Sequence, residues 1–225
     1  MGFWAQVRAI LWKDIVVELR TKERLSSMFF FALLIIVVFN FAFEPGTQAM
    51  REIAPGILWV TFIFAGLLGL TRSFTMEREN GCLQGLLLCP ADRGAIFVGK
   101  ALGNAVFMTI VEVISLPFFS VFLNVEVLPS LGQLIPLMIL GTLGFSAVGT
   151  LFAAMSANTK MREVMLPLLL LPILVPILLA VVEGTKAALT GEGLDGVSGW
   201  IKIAVTFCVL FTAASVILFD YVVED

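Results

Sequence analysis

The chain has 225 residues, 60% of them hydrophobic and only 14% charged, with a net charge of −3 and no histidine. A soluble domain is nearer half apolar and about one quarter charged, so a mean hydropathy of +1.04 points to a bilayer as the solvent. The missing histidine removes the commonest general base and metal ligand. No basic domain suits nucleic acid, and Cys82, Cys89 and Cys208 form neither a disulfide framework nor a CxxC pair.

The first element, 3–24, mixes charge with an apolar track at Trp4, Val7, Leu11, Ile15 and Leu19. That spacing predicts a helix lying in the membrane interface, where tryptophan and basic residues are at home. A run at 25–43 follows. It exceeds the apolar core of a signal peptide and has no clean cleavage site after it, so it is expected to be an uncleaved first span. The second run, 57–70, is short for a helix rising about 1.5 Å per residue. It spans only with help from 53–55 or 71–76.

Between the second and third runs lies 76–90, with Glu77, Arg78 and Glu79 charged, Gly81 in the middle, and Leu83, Leu86 and Leu87 apolar before Pro90 ends it. This pattern predicts a short amphipathic helix suited to the groove of a soluble partner. The plainer alternative is a surface turn that only covers the bundle.

The third run, 101–123, carries Glu112 near its middle. A carboxylate at that depth is costly and is a candidate functional group; otherwise it is a hydrogen-bonded packing residue, with Asn104 as a partner two turns away. Lys100 is close enough to the edge to snorkel. The fourth run, 131–155, has Thr142, Ser146, Thr150 and Ala154 at every fourth position, a face that favours close helix packing within the chain over a dimer contact.

In the fifth run, 164–182, Pro167, Pro172 and Pro176 remove backbone donors. Pro172 and Pro176 share a face, so this span is expected to be buried in protein or to line a cavity. A glycine-rich stretch, 183–199, is expected to be an outer, periplasmic loop. The sixth run is 200–219.

Eleven of the fourteen Lys and Arg residues fall before span one, between spans two and three, or between spans four and five. The positive-inside rule then places both termini in the cytoplasm, and an even number of spans agrees. No GxxxxGK[ST] sequence occurs, so any ATP site must lie on another chain. The expected fold is a single all-α, polytopic domain over 1–225 with six transmembrane helices.

Taken together, these segments resemble the CcmB family, the B subunit of the cytochrome c maturation haem exporter. The resemblance runs through Lys13-Asp14, Glu18 and Arg20, the stretch 53–60, then 77–90 followed by Gly99-Lys100, and finally 140–150 and 166–176. It implies a type-2 ABC exporter architecture with an N-terminal elbow helix over 3–24, including Lys13, Asp14, Glu18 and Arg20. It also implies a coupling helix over 77–90, and hence an ATPase-coupling role for Glu77, Arg78, Glu79, Gly81, Leu83, Leu86, Leu87 and Pro90.

The implied role is that of a permease subunit rather than an enzyme, in the bacterial inner membrane. It would act in haem export or in ATP-driven release of a loaded haem chaperone. The implied partners are a cytoplasmic ABC ATPase (the A component, which holds the ATP), C and D membrane subunits, a periplasmic haem chaperone, a second copy of the chain, and membrane lipid. Haem would be cargo of the complex and not a cofactor held by this chain, which has no histidine for its iron. Two alternatives stay open: an ABC-2 permease for another substrate, and a non-conducting scaffold that couples a separate ATPase to chaperone release.

Overall fold

A computed structural model describes residues 2–79, 92–157 and 162–222. Seven α-helices make up nearly all of it: α1 (Phe3–Thr21), α2 (Glu23–Ala42), α3 (Gln48–Glu79), α4 (Arg93–Leu123), α5 (Leu131–Ala157), α6 (Arg162–Thr190) and α7 (Gly193–Val222), with a 3-10 turn at Leu128–Ser130. No strand occurs among the described residues. The six helices α2–α7 are each long and apolar enough to cross a membrane.

Helices α3 and α5 form the centre. In each, 72% of the spanning window is buried, against 17% for α2 and 22% for α7. Helix α5 packs against α3, α4, α6 and α7, and α3 against α2, α4, α5 and α6. The small residues of α5 make this possible. A Cβ at Gly141 would strike the ring of Trp59, and one at Gly66 on α3 would lie 2.6 Å from Phe145. The indole N–H of Trp59 donates to Thr185 Oγ1 on α6 at 2.9 Å, which satisfies a polar group that hydrocarbon could not. The periodic face Thr142, Ser146, Thr150 and Ala154 is wholly buried within the chain, so it serves intramolecular packing as expected.

Hydrogen bonds at the helix ends fix the up-and-down order. The Arg93 guanidinium donates to the Asp220 carbonyl, joining the start of α4 to the end of α7, and the Asp92 amide donates to Gln6 on α1. At the other face, the Gly46 amide donates to the Leu123 carbonyl, the Asn40 amide to the Phe122 carbonyl, and the Ser130 hydroxyl to the Ala188 carbonyl. Helix α1 near Gln6 and the end of α7 therefore share one face of the bundle.

One expectation holds and two need correction. The second apolar run does reach spanning length through its flanks: its helix begins at Gln48 and ends at Glu79 and takes in both 53–55 and 71–76. The helix continues through Pro55, its eighth residue, which forfeits the one intrahelical bond to the Arg51 carbonyl. The stretch 183–199 is not a loop. Helix α6 runs to Thr190 and α7 starts at Gly193, leaving Gly191 and Glu192 as the turn. Only Gly191 and Gly193 use the left-handed conformation that glycine favours (φ 76° and 75°), while Gly184, Gly196 and Gly199 sit inside helices. Pro172 and Pro176 are exposed on the outside of α6 and not turned into the bundle, and the helix continues through both. Leu166, Leu170, Leu174 and Ile177 supply the buried stripe instead.

Candidate functional site

Helix α1 lies along α4. Its inner face is Val7, Ile10, Asp14 and Glu18, not the track through Trp4 and Leu19. Trp4 is 71% and Trp12 68% exposed, and Arg20 is also outward. The apposition is close because α4 carries glycine there. A Cβ at Gly99 would lie 3.0 Å from the Ile10 side chain and 3.3 Å from the Val7 carbonyl.

Within this seam Lys100 does not snorkel to the edge. It is 2% exposed, and its Nζ donates to both carboxylate oxygens of Asp14, at 3.1 and 2.9 Å. Lys13 approaches the same carboxylate at 2.9 Å from a more exposed position. Glu18, also buried, accepts from the Leu25 amide at 2.8 Å. Leu25 is the third residue of α2, so Glu18 caps that helix from the preceding one and puts a negative charge at its positive end.

A second buried arrangement lies one turn deeper. Arg24 Nη2 donates to Asn104 Oδ1 at 2.8 Å, and Asn104 Nδ2 donates to Thr150 Oγ1 at 2.7 Å. The guanidinium also sits over the Phe107 ring, 4.7 Å from its centroid. Nearby, the Ser146 hydroxyl donates to the Ala101 carbonyl. Together these bonds join α1, α2, α4 and α5 near one face. Buried charges are tolerated only when paired and hydrogen-bonded, so the four helices must hold this register as a unit.

Sequence reasoning singled out Lys13, Asp14 and Glu18 but not their partners. Arg24 counted only as one of the basic residues that set orientation, and Asn104 was assigned to Glu112. The available signal was the placement of Lys100 and Asn104 in a helix with no local countercharge.

Glu112 lies about 12 Å along α4 from Asn104, eight residues at 1.5 Å each, and is 1% exposed. Its hydrogen-bond partner is Thr142 on α5, whose Oγ1 donates to Oε1 at 2.7 Å. Beside it, α4, the 3-10 turn and α5 line a cavity of about 610 Å³ that opens on the outer face of the bundle. Pro172 and Pro176 are on α6, which does not line this cavity.

The expected coupling segment is described only at its beginning. Met76–Glu79 form the last turn of α3. The side chains of Glu77, Arg78 and Glu79, and all of Gly81, Leu83, Leu86, Leu87 and Pro90, lie outside the described residues.

Comparison with known proteins gives the frame for these features. The family model described as "CcmB protein" matches residues 5–222. Heme exporter protein B of Rhodobacter capsulatus is 30% identical over 215 residues, covering 96% of this chain and 95% of its own length. The protein of the same name from Pseudomonas aeruginosa is 29% identical over 184 residues, covering 81% of each chain. That of Escherichia coli K12 is 28% identical over 197 residues, covering 87% of each. A match of this extent, on a six-span helical bundle, shows that the chain belongs to the CcmB family.

Proposed function

We propose that this chain is the membrane permease subunit of an ABC transporter complex for cytochrome c maturation, acting in haem export or in ATP-driven release of a loaded haem chaperone. One observation carries the reading: the end-to-end match to proteins named heme exporter protein B. The lack of a nucleotide-binding sequence assigns ATP hydrolysis to a separate ATPase. The same reading assigns further membrane subunits, a periplasmic haem chaperone and a second copy of the chain as partners. The charge asymmetry supports an inner-membrane orientation with both termini cytoplasmic.

In this reading α1 is the elbow helix. The outward Trp4 and Trp12, with Arg8 between them, suit the headgroup layer, while the inward Asp14 and Glu18 tie the helix to α4 and α2. The segment 77–90 is the docking element for the ATPase. Proline at Leu83 adds at least about 3 kcal/mol to the cost of a helix there, so Leu83→Pro is expected to abolish ATPase co-purification while leaving membrane insertion intact. Normal insertion with full retention of the ATPase would remove the coupling role.

The absence of histidine favours the chaperone-release form of the function over iron ligation by this chain. The test of the whole reading is complementation. In a host lacking its own family member, the chain is expected to restore covalent haem on c-type cytochromes. Membrane insertion without that restoration would refute it. Haem movement in vesicles reconstituted with the full complex then separates export from release.

A further inference from the structure

The cavity beside Glu112 has a chemical bias that follows from the direction of each of its hydrogen bonds. Its walls are mostly aliphatic, contributed by Val113, Leu116, Leu128, Ile135, Met138 and Ile139. The polar groups among them are Thr109, Glu112 and Ser120. The Thr109 hydroxyl gives its proton to the Ala105 carbonyl at 2.9 Å, and the Ser120 hydroxyl gives its proton to the Val125 carbonyl at 2.8 Å. Thr142 directs its proton to Glu112 from behind the wall. Pro117, also in the wall, has no N–H to offer the carbonyl of Val113 one turn earlier.

The hydroxyl protons of Thr109, Ser120 and Thr142 are therefore all committed, so these groups offer an occupant acceptors only, and Glu112 joins them when it is the carboxylate. No Lys, Arg, Asn or Gln lines the cavity. Among the described residues Thr142 is the polar partner of Glu112, and no cation is paired with it. A carboxylate in a dry, apolar setting is costly alone and strongly attractive to a positive charge. With Glu112 as its carboxylate, the site disfavours fatty-acid carboxylates, phosphates and porphyrin carboxylates, which would bring a second negative charge.

We propose that this cavity binds an amphipathic organic cation, with an ammonium group at Glu112 and an aliphatic or aromatic body against Leu116, Leu128, Ile135 and Met138. The ammonium supplies the donors that the walls lack, and the body fills the space that only apolar side chains face. This assignment rests on the geometry of α4 and α5 and is independent of how the ATPase couples.

The test uses the full chain in phosphatidylcholine nanodiscs, with radiolabelled dodecylammonium and dodecanoate as probes and empty nanodiscs subtracted. Dodecylammonium is expected to bind saturably, and dodecanoate only at the background level. Glu112→Gln keeps the shape and removes the charge. A hydrogen bond to a charged group contributes roughly 1.5–3 kcal/mol, so this variant is expected to weaken dodecylammonium binding by about 10- to 100-fold. Ile135→Trp, at a half-exposed position on the cavity wall, adds bulk where the apolar body would lie and is expected to weaken binding with Glu112 unchanged. It keeps the proposal testable if the glutamine variant does not insert. Equal binding of both probes would reduce the cavity to an unselective apolar crevice. No saturable binding of dodecylammonium, or binding unaffected by both substitutions, would overturn the proposal.

Discussion

The ion pair between Lys100 and Asp14 permits a quantitative test of how α1 is held. Replacing Asp14 with leucine removes both carboxylate bonds from an ammonium group that is 2% exposed. Removing one member of a buried pair costs about 3–5 kcal/mol. The Asp14 side chain is 14% exposed, so water reaches the site and the expected loss is near the lower limit, about 3 kcal/mol. Lys100→Met alone strands a carboxylate that still has Lys13 at 2.9 Å and some solvent, so about 1–2 kcal/mol is expected for it. The double variant removes the pair as a whole and is expected to recover most of the loss, because buried pairs replaced by apolar groups of similar volume are often neutral. Reversible unfolding in mixed micelles, read by helical circular dichroism across the four-member cycle, gives the coupling energy. Single variants as stable as the parent, or a double variant whose loss equals the sum of the two, would refute the reasoning.

Other expectations follow from neighbouring contacts. Asn104→Leu removes one acceptor of Arg24 and the donor to Thr150; about 1.5–3 kcal/mol of stability is expected to be lost, while Asn104→Asp, which keeps an acceptor beside the guanidinium, is expected to retain more of it in the same assay. Gly99→Val drives methyl groups into Ile10 and the Val7 carbonyl, and overpacking of this kind costs about 1–3 kcal/mol; proteolysis within α1 is expected to accelerate, and an unchanged digestion rate would count against the tight seam. Trp59→Phe forfeits the bond to Thr185, for which about 1 kcal/mol is expected, measurable by the same unfolding experiment.

The spans were legible because each is a long apolar stretch, and hydropathy reads such stretches without tertiary information. The face of Thr142, Ser146 and Thr150 was legible too, since small residues at helical spacing have few uses other than close packing. What local pattern misses is partnership. Arg24 and Asn104 are eighty positions apart, as nearly are Asp14 and Lys100, and only the packing of α1 and α2 on α4 brings them together. Glycine content misled at 183–199, because helices inside a bundle accept glycine where packing outweighs its loss of about 1 kcal/mol relative to alanine. Proline misled about the facing of α6. A proline's missing donor says that a carbonyl is freed, but it does not say toward which side of the helix the neighbours lie.

Only Lys22 stands between α1 and α2, in the left-handed conformation with φ 56°. A joint of one residue has no slack, so the two helices are locked in angular phase as two gears on one shaft would be. Inserting a single residue into the last turn of α1, after Glu18, would turn the preceding part of the helix by about 100° about its own axis. Asp14 and Glu18 would swing away from Lys100 and the Leu25 amide together, and Trp4 and Trp12 would leave the outward side. Seven added residues, close to two full turns, would restore the phase but displace α1 along its axis by about 10 Å. The chain length at this corner is therefore as much a determinant of which face the first helix presents as any side chain on it.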